Sequence, residues 1–218
     1  SNRTQKVRVG SAFPDIIEIP FGAPQEAILS PLIFLIYVSD VDLWVDKDCH
    51  TSYCDDSNIA VSGDSKSQAI TKLEHVSHEL LIYFSSNYLV ANASKTTFMV
   101  IRNGRDLSGE KFELHVAGSI IQESPTMEML GIVLSNDLKW TSHINKLLGN
   151  MRNVNGLLSR LAAHVPKSDL LPVVHGLLIS RIRYGLAVFG RVKLNENEPE
   201  NGEMNSIQVE MNRALRLV

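Results

Sequence analysis

The chain has 218 residues, of which 44% are hydrophobic, and a formal net charge of −3. This composition argues against a chain that is disordered throughout and provides enough apolar side chains for a folded core. Two cysteines, Cys49 and Cys54, cannot form a disulfide framework or complete a zinc site, and they favour an intracellular, reducing location. The longest apolar run has about 11 residues, against the roughly 20 of a membrane-spanning helix, so we expect no membrane partner.

The N-terminal part of the chain predicts two strands and then a helix. Residues 3–19 alternate loosely between apolar and polar side chains around Gly10 and Pro14, which predicts a strand, a turn and a strand. The apolar run 27–38 is too long for a typical strand, and Pro31 suits the first turn of a helix. We therefore expect a buried helix that ends near Asp40. Because the chain does not begin with Met, we also expect a fragment of a longer protein.

The middle of the chain predicts a turn, a long helix and several strands. Residues 53–58 are polar and turn-forming, and residues 59–61 follow as a strand. Further strands are predicted at residues 97–102, 111–116, 120–121 and 129–133. Ser65 opens a helix whose apolar positions have the spacing of one buried face: Ile70, Leu73, Val76, Leu80, Leu81 and Phe84.

After Trp140 the pattern becomes helical. Residues 144–161 and then 166–182 place apolar side chains at helical spacing. Residues 195–206 are predicted to be an acidic, turn-rich linker, and a last helix begins at Ile207. We therefore predict an α+β fold with a mixed region at residues 1–138 and a helical region at residues 139–218.

Positive charge is concentrated in the helical region. Residues 138–195 contain nine Lys or Arg and one acid, a net charge of +8, which leaves −11 for the rest of the chain. Such asymmetry is typical of a surface that faces phosphates. The alternative is that these side chains are the solvated faces of amphipathic helices.

The adjacent carboxylates Asp55 and Asp56 lie in the predicted turn before a strand. A tight turn lets both reach one point, and Mg²⁺ prefers oxygen ligands together with substrate phosphates. Two-metal phosphoryl transfer needs at least one more carboxylate from another strand. The alternative is that the pair merely caps a turn. Cys49, His50 and Cys54 are three candidate metal ligands without a fourth, and we predict no metal site there.

Four segments, in chain order, resemble non-LTR retrotransposon reverse transcriptases. Residues 21–40 are similar to the family pattern Gly-x-Pro-Gln-Gly-Ser-x-Leu-Gly-Pro-Leu-Leu-Phe with its following apolar helix. Residues 53–56, Tyr-Cys-Asp-Asp, resemble the metal-binding Tyr-Ala-Asp-Asp. Residues 83–96 are similar to Trp-Phe-x-x-Asn-x-Leu-x-x-Asn-x-x-Lys-Thr, and residues 129–144 to Leu-Gly-Val…Leu-x-Trp-x-x-His-Ile.

The resemblance implies a right-hand polymerase, with part of the palm (an antiparallel sheet with packed helices) at residues 1–138 and a helical thumb at residues 139–218. The activity implied is RNA-directed DNA synthesis, with an RNA template, a DNA primer, dNTP and Mg²⁺ or Mn²⁺. It implies that Asp55 is a metal ligand, Asp56 its supporting neighbour, and Lys95 a proton donor to the leaving pyrophosphate. Gly22, Gln25 and Tyr53 would lie near template and nucleotide. The nucleic acid would lie against a basic set: Lys139, Lys146, Arg152, Arg160, Arg181 and Arg183.

Departures from the family pattern weaken the expectation of activity. Glu26 replaces a glycine and places a negative charge beside a polyanion, and Ser30 replaces another glycine. The family's remaining essential Asp lies upstream of these motifs, so its region would precede Ser1. We therefore predict that the chain alone does not polymerise. Two alternatives stay open: a non-catalytic nucleic-acid-binding module that uses the basic helices, and a remnant without function.

Overall fold

The structure, a computed structural model, describes residues 4–6, 10, 16–18, 22, 28–101, 112–116, 118–190 and 202–218. It mixes helices with small antiparallel sheets, which confirms the predicted α+β class. The chain divides into two compact units, the first comprising Ser1–Thr96 and Leu114–Ile120, the second Thr97–Glu113 and Ile121–Val218. The predicted division into palm and thumb at residue 139 concerns function and stays a prediction.

The first unit begins with paired strands and continues into two helices and a hairpin. The two strands predicted within residues 3–19 are present as β1 (Thr4–Gln5) and β2 (Ile17–Glu18), and they pair antiparallel. Helix α1 (Ser30–Tyr37) is followed by a 3₁₀ turn at Val41–Leu43. Strands β3 (His50–Tyr53) and β4 (Asp56–Ile59) form an antiparallel hairpin, and helix α2 spans Lys66–Ser86.

Helix α2 begins where the sequence predicted it. The Ser65 hydroxyl accepts a hydrogen bond from the Gln68 amide, and the Gln68 side chain accepts one from the Asp64 amide, so two amides at the helix start have partners. One face of the helix then forms the core of this unit, because its apolar side chains recur at helical spacing. The core residues are Val41, Val45, Cys49, Val76, Leu80 and Tyr83.

The prediction that α1 is buried is wrong. None of its residues is buried, and Leu32 and Ile36 are 55% and 67% exposed. An apolar sequence favours burial, but only a neighbouring element can provide it, and no described element covers this helix. The hydroxyl of Tyr37 anchors its C-terminal end by donating to the carbonyl of Asn87 at 2.6 Å.

Two hairpins follow in the middle of the chain. Strands β5 (Glu113–Val116) and β6 (Ser119–Gln122) pair with each other, as do β7 (Thr126–Met129) and β8 (Ile132–Ser135). The β7–β8 turn is Leu130–Gly131, with φ of +48° and +79°, the signs that a two-residue hairpin turn of type I′ requires. The strand predicted at 97–102 is wrong for the described residues 97–101, which contribute only an isolated bridge from Phe98 to Glu123.

The helices of the second unit pack around one core. They are α3 (Thr141–Leu161), α4 (Lys167–Val174), a π-helical turn (His175–Ile179), α5 (Ser180–Arg183), α6 (Leu186–Phe189) and α7 (Gly202–Leu215). The two predicted long helices are thus present. The predicted linker is wrong for residues 202–206, which are helical, and residues 195–201 lie outside the described residues. The fully buried core side chains include Met151, Leu158, Val174, Leu178 and Ala214.

Candidate functional site

Asp55 and Asp56 lie at the tip of the β3–β4 hairpin. Tyr53 pairs with Asp56, which leaves Cys54 and Asp55 as a two-residue turn. Cys54 has φ of +53°, a left-handed conformation that costs a residue with a side chain roughly 1–2 kcal/mol. The hairpin closes this tightly because four successive residue pairs hold the register from His50 opposite Ile59 to the turn. The sequence therefore folds locally so that Asp55 lies in the turn and Asp56 directly follows it as the first residue of β4.

The two carboxylates are exposed to water, as is Tyr53, whose exposed fraction is 63%. Mg²⁺ in phosphoryl-transfer sites is commonly held by one or two carboxylates, with waters and substrate phosphates completing the shell. The donor chemistry of Asp55 and Asp56 fits that role. No group of three or more His, Cys, Asp or Glu with metal-site geometry occurs among the residues that the structure describes. The expected third carboxylate stays a prediction.

A buried layer supports the base of this hairpin. The Tyr83 hydroxyl donates to Asp40 Oδ1 at 2.5 Å, and burial together with this carboxylate raises the pKa of Tyr83 to about 12. Burial raises the pKa of the Cys49 thiol, which donates to Asp46 Oδ2 at 3.4 Å. The Cys49 thiol therefore has a hydrogen-bond partner within the first unit.

His50 is a buried histidine at the start of β3. Its Nδ1 lies 3.9 Å from Asp42 Oδ1, while its Nε2 is buried with no hydrogen-bond partner among the described residues. Burial lowers the pKa of His50 despite the opposing effect of Asp42. A neutral ring is therefore the form that the fold favours.

The other site residues that the resemblance implies either lie in turns or fall outside the described residues. Lys95 is exposed in a turn organised by Asn92, whose side-chain oxygen accepts hydrogen bonds from the amide and hydroxyl of Ser94. Gly22 is exposed and has φ of +86°, a conformation that favours glycine. Gln25 lies outside the described residues. No hydrogen bond or ion pair among the described residues joins Lys95 to the hairpin.

The six basic residues proposed for nucleic acid differ in their partners. Three are paired with acids: Lys139 with Asp137 at 3.5 Å, Lys146 with Glu128 at 2.6 Å, and Arg152 with Glu210 at 3.3 Å. Arg160, Arg181 and Arg183 are exposed and form no ion pair within the described chain. These three arginines therefore carry the least compensated positive charge of the set.

No family model, curated protein or solved structure matches this chain. Among the described helices, none is both long enough and apolar enough to cross a bilayer. Function must therefore be argued from the motif residues and from the geometry around them.

The sequence did not single out the polar residues that join distant segments of the second unit. Asn155 is fully buried and donates to both the carbonyl and the carboxylate of Glu210 at 3.0 and 2.8 Å. The Tyr184 hydroxyl donates to the carbonyl of Leu130 at 2.6 Å. Because these partners are more than fifty positions apart, no local pattern signals them.

His143 is predicted to make the second unit less stable in acid. Burial lowers its pKa, assisted by Lys146 and opposed by Glu128. The unfolded chain therefore binds more protons than the folded chain between the lowered pKa and the ordinary value near 6.5, so stability falls as pH drops through about 6.5. The destabilisation caused by His143→Gln, measured by urea unfolding, should shrink from pH 8 to pH 5. Exposed His164→Gln is the control, and an unchanged cost for His143→Gln would refute the expectation.

Proposed function

We propose that this chain is a segment of an intracellular RNA-directed DNA polymerase of the kind found in non-LTR retrotransposons. The supporting observation is that Tyr53-Cys54-Asp55-Asp56, the segment that resembles the family's metal-binding motif, closes the β3–β4 hairpin, with Asp55 in its two-residue turn and Asp56 at the start of β4. The first three motif segments, at residues 21–40, 53–56 and 83–96, all belong to the unit that contains this hairpin.

In this proposal Asp55 and Asp56 would hold Mg²⁺ or Mn²⁺ at the β3–β4 hairpin. The metal ion supplies charge neutralisation for the attacking primer oxygen and the leaving pyrophosphate. Lys95 donates a proton to the pyrophosphate. Gly22, Gln25 and Tyr53 lie near the RNA template and the nucleotide. The missing carboxylate is expected from a part of the parent protein upstream of this sequence, so the chain alone is expected to be inactive.

The first test is extension of a DNA primer on an RNA template with Mg²⁺ or Mn²⁺. We expect no extension by the chain alone, because two carboxylates from one turn cannot complete a two-metal site. We expect extension when the upstream part of the parent polypeptide is joined to it. The double variant Asp55→Ala, Asp56→Ala should then lower the rate by more than about a hundredfold, on the scale of losing transition-state electrostatics.

Asp64→Ala is the matched control, because it removes an exposed acid of the same unit that lies outside the hairpin. Extension that the double variant leaves intact would refute the proposal. Extension by the chain alone that the double variant abolishes would refute the prediction of inactivity, and would mean that another carboxylate of this chain completes the site.

A second candidate function is nucleic-acid binding by the helical region without catalysis. The observation that favours it is the exposure of Arg160, Arg181 and Arg183 without an ion pair among the described residues. Because bound phosphates release counterions when cations replace them, affinity would fall steeply with salt.

We expect Arg160→Gln and Arg183→Gln each to reduce the magnitude of the slope of log affinity against log salt by about one. Lys139→Gln should change the slope less, since Lys139 already pairs with Asp137. Fluorescence anisotropy of a labelled primer–template at several salt concentrations measures the slope for each variant. Binding that does not depend on salt would contradict this candidate.

A further inference from the structure

An open cleft of about 530 Å³ lies in the second unit, between the β7–β8 hairpin and helices α3 and α5. Its size falls in the range of small-molecule sites. Its lining side chains come from the β7–β8 hairpin, from α3, and from α5 and the residue after it. They include Glu128, His143, Lys146, Asn150, Arg181 and Tyr184. It lies entirely within one compact unit.

The lining of the cleft is richer in hydrogen-bond donors than in acceptors. Arg181 contributes a guanidinium with no ion pair within the described chain. Lys146 contributes an ammonium whose charge is shared with Glu128 at 2.6 Å. The Asn150 amide adds further donors. With two cations against one carboxylate, the cleft has a net positive charge and suits an anion.

His143 adds a donor whose tautomer the structure assigns. Its Nδ1 accepts a hydrogen bond from the amide of Val133 at 3.3 Å, so the neutral ring must carry its proton on Nε2. The ring also packs against Phe189, with centroids 4.7 Å apart, which fixes its orientation. No described residue accepts a hydrogen bond from Nε2, so this donor is available to a ligand.

Tyr184 provides an aromatic side chain whose hydroxyl end is held against the β7–β8 turn. Its hydroxyl donates to the carbonyl of Leu130, and a side chain on Gly131 would lie 3.5 Å from its ring. The residue is nevertheless 57% exposed, so much of its surface remains open. A fixed, exposed ring beside an anion site is the arrangement on which nucleic-acid bases stack.

We propose that this cleft binds a nucleotide, with its phosphate against Arg181, Lys146 and His143 and its base on Tyr184. The ligand is either a free mononucleotide or one nucleotide of a single strand, since both present the same phosphate and base. In the case of a strand, the inference rests on the proposed nucleic-acid binding of the helical region. The Asp55–Asp56 hairpin takes no part in it.

The test is calorimetric titration of the 218-residue chain, without metal ions, with AMP, with inorganic phosphate and with a single-stranded oligo-adenylate. We expect saturable binding of one AMP, tighter than phosphate because of stacking. Arg181→Gln should weaken AMP binding about tenfold, the loss of one charge-assisted hydrogen bond. Arg213→Gln, which removes the same charge from an exposed residue of α7 outside both the cleft and the proposed basic set, should change it less than about twofold.

Glu128→Gln is expected to raise the affinity for AMP, whereas Arg181→Gln lowers it. The substitution releases Lys146 from its ion pair and should tighten AMP binding roughly threefold, which corresponds to the energy of an exposed ion pair. Tyr184→Phe should retain the preference for AMP over phosphate, because the ring remains, whereas Tyr184→Ala should abolish it.

Absence of saturable AMP and oligo-adenylate binding would overturn the inference, as would equal losses in Arg181→Gln and Arg213→Gln. Binding of AMP without binding of the strand would assign the cleft to free nucleotides and would count against the proposed nucleic-acid binding. If the chain binds primer–template but binds no AMP, the inference about the cleft is refuted and the proposed nucleic-acid binding is supported.

Discussion

Leu158→Ala is expected to lower the free energy of unfolding of the second unit by about 2–5 kcal/mol, the range for a buried Leu whose removal leaves a cavity. Leu158 has no exposed surface and belongs to the core that α3 shares with the helices of this unit. Close-packed surroundings relax only partly around the lost atoms, so the contacts of its branched end are not replaced.

The measurement is urea unfolding followed by the fluorescence of Trp140, which packs against this core. A Trp44→Phe background isolates that signal, because Trp44 belongs to the first unit and is 63% exposed. Leu157→Ala is the matched control. Leu157 is the adjacent residue of α3 and is 38% exposed, so its replacement should lower the free energy of unfolding by less than about 1 kcal/mol. Equal costs at the two positions would mean that α3 presents a different face to the core.

The second large effect is expected from Asn155, which joins α3 to α7. Its side-chain amide donates twice to Glu210, and the Arg152 Nε donates to the same carboxylate at 3.3 Å. The Glu210 side chain is only 12% exposed, so it depends on these donors. Asn155→Leu should therefore cost about 2–3 kcal/mol, because it leaves a largely buried carboxylate short of partners.

The double variant Asn155→Leu, Glu210→Leu separates this penalty from the net contribution of the network. Replacing both partners with apolar side chains is expected to recover most of the loss, since it leaves no buried carboxylate, and Arg152, which loses its partner, is 62% exposed to water. A double-mutant cycle by urea unfolding gives the coupling energy. Additive costs would show that the two side chains act independently. The Asn155 Oδ1 has no partner among the described residues, which is a further reason for the apolar pair to be tolerated.

Much of the secondary structure could be predicted from local patterns. The apolar spacing after Ser65 and after Trp140 predicted helices that the structure contains, because the period of 3.6 is a property of the chain itself. The polar segment 53–58 predicted a turn and residues 59–61 a strand, but the structure has a turn only at residues 54–55 and places the strand at Asp56–Ile59. The bounds were wrong because cross-strand pairing extends the ladder into the polar residues. The four motif segments, in their order, are likewise a property of the sequence, and the proposed function depends on them.

Burial and partnership could not be predicted in this way. The apolar run of α1 predicted a core helix, yet no described element covers it, and Phe98 is buried without forming a strand. The prediction from sequence treated the six basic residues of the helical region as equivalent binding residues. The structure separates Arg160, Arg181 and Arg183 from three others that already have acidic partners.

The sequence by itself determined the α+β class, the positions of the long helices and the adjacency of Asp55 and Asp56, since each depends on neighbours along the chain. Only the tertiary structure decided that Asn155 binds Glu210 and that His143, Arg181 and Tyr184 line one cleft. The physical reason is that long-range contacts depend on how elements pack together, and a pattern with a period of two or 3.6 residues specifies which face is apolar but not what covers it.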